Sequence, residues 1–332
     1  MLPVFGLHTH IAANRRRSTF LIAGLFCLFY LMAFGLALLL QARRAEGLGS
    51  FDSLLHAAVQ DMLWLAPATT MLVALWVWCG FRLNAFILNL TTGSSAIERQ
   101  ENPRLYNLVQ NLCISRGLGM PKLRILETDA PNAFASGTRP EQYTITVTRG
   151  LLDLLNDQEL EAVLAHELTH IRNGDVRTMM IAVLVVGVLS FVGEMVYRSL
   201  GNGSAIVSSN RGRSGKSSGG GRLAAILVAA ALIVVAWLLS VVIRFSLSRR
   251  REYLADAGAV ELTHNADAMI SALAKIKGKG ELEGVPSAVM ELCLDNPRSG
   301  FSDLFATHPS IEERIEALTR YAGGKPVIAP AA

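Results

Sequence analysis

The apolar and polar positions divide the chain into two kinds of segment. Phe20–Leu40, Met62–Gly80 and Leu223–Ile243 contain no Asp, Glu, Lys or Arg. Each approaches the roughly 20 apolar residues that a helix needs to cross a hydrocarbon core. Thr178–Tyr197 is a fourth candidate, but Glu194 lies inside its far end. That acid fits an interfacial position, a neutral one, or a segment that enters the bilayer only in part. The first run reads as a retained anchor, because it is longer than a signal core and Gln41-Ala42-Arg43-Arg44 makes a poor cleavage site.

Between these runs the period changes. Leu105, Leu108, Val109 and Leu112 predict a helix over Arg104–Arg116. Lys122–Glu127 and Tyr143–Thr148 read as strands, and Asn132–Ser136 as a third, exposed one between turn residues. Asn156 with Glu159 forms a capping box ahead of a helix whose buried stripe is Leu160, Val163, Leu164 and Leu168. Gly201–Gly221 is Gly/Ser-rich and lacks a period, so it reads as a loop. A helix follows over Ala257–Lys277, and Ser310 with Glu313 caps a last one through Tyr321.

Composition agrees with a membrane protein. Of 332 residues, 51% are hydrophobic and 17% charged, and mean hydropathy is +0.37. These values argue against a purely soluble or a largely disordered chain. A net charge of +4 and a pI near 9.0 raise the question of nucleic acid. The basic residues cluster beside apolar runs, where they set topology or meet lipid headgroups, so the expected partner is the bilayer. Cys27, Cys79, Cys113 and Cys293 are too scattered for a disulfide framework or a cysteine zinc site.

The chemistry concentrates at His166-Glu167-Leu168-Thr169-His170. Residues four apart share a helical face, so both imidazoles can reach one metal ion. Glu167 projects beside them as a candidate base. A catalytic zinc needs a third protein ligand. Asn173 and Val176 close the route that uses a glycine and a later histidine on the same segment. Glu252 and Asp256, four apart on a later helix, supply carboxylates: one can bind metal while the other orients a histidine.

HELTH with Asn173-Gly174-Asp175, Glu252-Tyr253-Leu254-Ala255-Asp256, Asn132-Ala133-Phe134-Ala135 and Thr307-His308-Pro309-Ser310 together resemble the HtpX heat-shock membrane proteases. These are bacterial relatives of the CAAX prenyl proteases, and the likeness covers approximately residues 15–320. The resemblance implies an α-helical integral membrane protein of about four spans, with a mainly α, zincin-like soluble domain carrying a small β-sheet. Its expected parts are residues 1–80 with two spans, 81–177 with the HExxH helix, 178–243 as a membrane hairpin, and 244–332 with the third ligand.

The resemblance further implies one zinc per chain, held by His166, His170 and Glu252. It makes Glu167 the catalytic base and Asp256 an outer partner. It also makes Asn132, Ala133, Phe134 and Ala135 a substrate-binding edge strand and His308 a candidate oxyanion stabiliser. The expected activity is cleavage of unfolded or damaged membrane proteins at the cytoplasmic face of the bacterial inner membrane. Processing of prenylated peptides and a silent zinc-binding scaffold are the alternatives. A transporter would leave the metal motif unused.

Overall fold

The computed structural model describes residues 7–44, 50–181, 221–235 and 250–325, apart from positions 222, 229, 233, 284, 286 and 291 and the stretch 297–308. The chain divides into two compact units. One comprises Thr19–Gly80 and Leu184–Ser246; the other comprises Met1–Ser18, Phe81–Val183 and Leu247–Ala332.

The first unit is helical. Helices α1 (Leu7–Arg44) and α2 (Phe51–Thr92) contain Thr19–Ala42 and Phe51–Arg82, with mean hydropathies of 2.4 and 1.6. Both stretches are long and apolar enough to cross a membrane by length and composition. The second begins at Phe51, well before the expected Met62. Leu54 and Ala58, both buried, carry the apolar stripe past Asp52 and Asp61. Ala37, Leu38 and Ala42 pack with Leu54, Ala58 and Ala225 in a small core, where the alanines allow close helix approach. Gln41 Nε2 donates to Asp61 Oδ2 at 2.8 Å, and Tyr30 Oη lies 2.5 Å from Thr70 Oγ1. These pairs give polar groups partners within an apolar segment.

Leu223–Leu232 is also apolar and helical. The remainder of the expected third span from 236, and the expected fourth from 182, lie outside the described residues. So does the Gly/Ser-rich loop, except for Gly221.

The second unit is built on a four-stranded sheet. Strands β1 (Ser95–Ala96), β2 (Lys122–Leu126), β3 (Ala133–Ser136) and β4 (Thr144–Thr148) lie in the order β1-β2-β4-β3. β2 runs parallel to β4, with Lys122 opposite Thr144, and β3 runs antiparallel to β4, with Ala133 opposite Val147. β3 is therefore an edge of the sheet. Gly137 ends it at φ +115, and a Cβ there would meet the Gln142 carbonyl at 2.6 Å, so only glycine fits that turn.

Helices α3 (Pro103–Arg116), α4 (Arg149–Leu154) and α5 (Asp157–Asn173) surround these strands, followed by α6 (Arg250–Thr263), α7 (Ala266–Ile276), α8 (Ser287–Met290) and α9 (Ile311–Ala322). Both expected capping boxes form, at Asn156 with Glu159 and at Ser310 with Glu313. One expectation is corrected: the helix over Ala257–Lys277 is two helices. The backbone turns left-handed at His264 (φ 52), and the Asn265 side chain accepts from Ala268 N to start α7. The apolar pattern continues through this break because Ala259, Met269 and Leu273 all face the same core.

The packing of α5 against α6 positions the functional residues. A Cβ on Gly258 would lie 2.4 Å from Thr169 Cγ2. The missing side chain therefore lets the two helices approach closely.

Candidate metal centre

α5 is covered on almost every side, so the polar residues along it are buried as well as the apolar ones. His166, Glu167 and His170 are all buried on this helix, as are Glu252 and Asp256 on α6. Buried polar groups of this kind persist only when they have partners.

The two histidines have comparable arrangements. His166 Nδ1 lies 2.9 Å from Asp256 Oδ1, and His170 Nδ1 lies 3.1 Å from Asp175 Oδ2. Each carboxylate favours a proton on Nδ1, which turns the Nε2 lone pair inward. The two Nε2 atoms stand 3.1 Å apart. Glu252 joins them, with Oε2 3.5 Å from His166 Nε2 and Oε1 3.7 Å from His170 Nε2. Ligand atoms of His166, His170 and Glu252 all fall within 4.8 Å of one another. Two imidazole nitrogens and a carboxylate converging in a buried space call for a shared positive charge, carried by a proton on His170 or by a metal ion that displaces it. The donor set therefore fits a metal ion, and two nitrogens with one oxygen suit zinc.

Electrostatics point the same way. Burial opposes a charge on His170, yet the Glu252 and Asp175 carboxylates outweigh it and push the imidazole up to about 10. Burial raises the Glu167 carboxyl above its ordinary range, although the two histidines and a hydrogen bond from the Ala135 backbone pull it down. Burial would also raise Asp256, but the Arg314 guanidinium and His166 hold it below the ordinary carboxylate range.

The edge strand has a different set of contacts from the one expected. Asn132 Nδ2 donates to Gly280 O at 2.6 Å and to Asp295 O at 2.8 Å, while its Oδ1 accepts from Ala133 N and Asp295 N. Ala133 O already accepts from Leu294 N at 3.0 Å. The chain itself thus occupies the amide of Asn132 and the outward carbonyl of Ala133. Phe134 is buried in the core, so the strand is an edge in its backbone but not an exposed surface. Ala135 is the residue of this strand whose backbone reaches Glu167. His308 lies outside the described residues.

Two site residues carried no assigned role in the sequence reading. Asp175 reaches His170 because Gly174 ends α5 in a left-handed turn, at φ 71. Arg314 grips Asp256 with Nε at 2.9 Å and Nη2 at 2.6 Å. Its signal in the sequence is a basic residue on the apolar stripe of Ile311 and Leu318.

Two imidazoles and a carboxylate converging beside a buried glutamate on the same helix define a metallopeptidase centre. Residues 99–322 match the model of Peptidase family M48, and the chain belongs to that family. It is 37% identical over 325 residues to a protein named "Protease HtpX homolog" from Bacteroides fragilis (strain YCH46), covering 95% of this chain and 99% of that one. The homologue of the same name from Listeria innocua is 35% identical over 317 residues, covering 94% and 99%. The one from Streptococcus gordonii is 33% identical over 318 residues, covering 95% and 99%. Among solved structures, the crystal structure of S. mikatae Ste24p aligns with a TM-score of 0.46 and 19% identity, covering 75% of this chain and 57% of that one.

Proposed function

We propose that the chain is a zinc endopeptidase held by about four spans in the bacterial inner membrane, where it cleaves misfolded or damaged membrane proteins from the cytoplasmic side. The observation that carries this reading is the convergence of His166 Nε2, His170 Nε2 and the Glu252 carboxylate, all buried, beside Glu167. Zinc bound there supplies a Lewis acid that polarises the scissile carbonyl and acidifies water.

The protein's own groups do the rest. Glu167, its carboxyl raised by burial, takes the proton from the attacking water and passes it to the departing amine. Asp256 and Asp175 fix the ring orientation of the two histidines. An extended substrate adds along the Ala135 end of β3 through its backbone, which favours breadth over sequence specificity. The Ala133 end is held by Leu294, so this role contracts to the part of the strand nearest Glu167. His308 is assigned the developing oxyanion: unchanged turnover by His308→Ala with intact zinc removes it from the reaction.

Topology follows from the shared ion. His166 and Glu252 contribute to one cluster, so an even number of crossings separates them. Reading residues 178–243 as a hairpin of two spans gives that even number and puts residues 198–222 on the opposite face. Cysteine labelling of 211–216 from the same face as Asn132 overturns that arrangement.

The decisive comparison uses wild type and Glu167→Gln, purified under chelation and then given zinc. Cleavage of casein by wild type alone, with one zinc bound to each, supports the peptidase reading. Zinc in both without cleavage of any unfolded substrate points to a narrow substrate, such as a prenylated peptide, or to a silent scaffold. Absence of zinc from both defeats the metal centre.

A further inference from the structure

Arg314 is 1% exposed and sits on the apolar stripe of α9. A guanidinium is tolerated there only when its donors are paired. Its fork makes an unusual set of contacts. Nε donates to Asp256 Oδ2 at 2.9 Å and Nη2 to Asp256 Oδ1 at 2.6 Å. That same Oδ1 is the atom 2.9 Å from His166 Nδ1. On its other arm, Nη1 donates to Leu294 O at 3.1 Å and stands 3.7 Å from Glu252 Oε2. Leu294 N in turn donates to Ala133 O on β3. One planar cation thus links the carboxylate behind His166 to the segment pinned on the edge strand.

We propose that Arg314 is a positioning residue that holds His166 and the β3 edge in one register, so that the metal and an extended substrate meet in fixed geometry. The inference rests on reading His166, His170 and Glu252 as zinc ligands. The physical reason lies in the fork. With both oxygens engaged by two parallel donors, the Asp256 carboxylate cannot rotate, and the imidazole bonded to it keeps its Nε2 aimed at the other ligands. A lysine ammonium carries the charge but not the planar pair of donors, nor the third donor aimed at Leu294.

Arg314→Lys tests the fork, with zinc affinity measured by chelator competition and folding by circular dichroism. The expected result is a folded chain whose zinc affinity falls about 10–100-fold, the range of changes to partners behind a metal ligand. KM for an unfolded protein substrate rises in parallel, because the edge segment is loosened.

A second variant, Asp256→Leu with Arg314→Met, replaces the ion pair by apolar groups, a change that buried pairs often tolerate without loss of stability. It is expected to melt near wild type and to show the same zinc loss as Asp256→Leu alone, since the two residues act along one path. Wild-type zinc affinity in either folded variant overturns the proposal, and a lowered melting temperature with unchanged zinc affinity and KM reduces Arg314 to a structural ion pair. Zinc held by Glu252→Gln as tightly as by wild type overturns the ligand assignment itself, and with it this inference.

Discussion

The two units distribute the same kinds of residue in opposite ways. Along α2, Leu63, Trp64 and Met71 are 73%, 84% and 74% exposed, although their side chains are largely apolar. Around α5 and α6, Glu167, Glu252, Asp256 and Arg314 are each at most 2% exposed, although they are the most polar side chains available. The first arrangement is favoured where lipid takes the place of water. The second is stable only where each charge faces an opposite partner or a metal ion. Exposure alone therefore says little about a residue; what covers it decides whether the arrangement is favourable.

The sharpest way to break this contrast is to place a charge on the exposed face of α2. Met71→Arg is expected to cost about 2.5–3.5 kcal/mol of insertion at mid-helix, read as a shift of the protein from the alkali-resistant membrane fraction. Glu316→Arg on the exposed side of α9 is the control, and partitioning there should not change.

A smaller effect comes from crowding the contact between α5 and α6. Gly258→Ala drives a methyl against Thr169, with an expected loss of about 1–3 kcal/mol. Thermal melting measures it, and adding Thr169→Ala should recover most of the loss because the clashing atoms belong to that side chain.

pH separates the ionic core from the lipid-facing helices more finely. The folded His170 has its pKa raised to about 10, so without metal it carries a proton through the neutral range. Metal binding must displace that proton, and affinity should fall about tenfold for each unit that pH drops below the folded pKa. Chelator competition at several pH values checks the slope, and a flat profile between mildly acid and mildly alkaline pH contradicts it.

The smallest effect belongs to Glu159, away from the metal. Burial works against its charge, but Lys275, Ser271 and the Asn156 backbone prevail and hold its carboxyl below 4.5. A folded-state value below the unfolded one contributes stability above the unfolded pKa, and that contribution is lost as pH falls through the folded value. Glu159→Gln should therefore cost about 1 kcal/mol at neutral pH, limited by the half-exposed lysine. The gap to wild type should close under acid conditions below the ordinary carboxylate range.

Much of the helical framework was legible from local rules. The capping boxes at Asn156 and Ser310, the strands at Lys122 and Thr144, and the apolar run beginning near Phe20 all follow from spacing within a few residues, whereas the second apolar run starts at Phe51, eleven residues before the expected Met62. The break at His264 was not legible, because the two helices beside it bury their apolar faces in one core and leave the period uninterrupted. The occupied end of β3 was equally hidden. Nothing near Asn132 in the sequence announces that Gly280, Leu294 and Asp295 return to it.

The sequence by itself determined the helix that carries His166, Glu167 and His170, since a four-residue spacing fixes a shared face wherever that helix lies. It also supplied two carboxylates on a later helix, and spacing alone left either one open, although the family resemblance favoured Glu252. Tertiary structure groups Glu252, and not Asp256, with the two histidines. Gly258 brings α6 close enough for Glu252 to face both Nε2 atoms, while Arg314, from the far end of the chain, holds Asp256 behind His166. Spacing rules act within a helix, whereas the choice of ligand depends on contacts between residues far apart in sequence, which only the folded chain brings together.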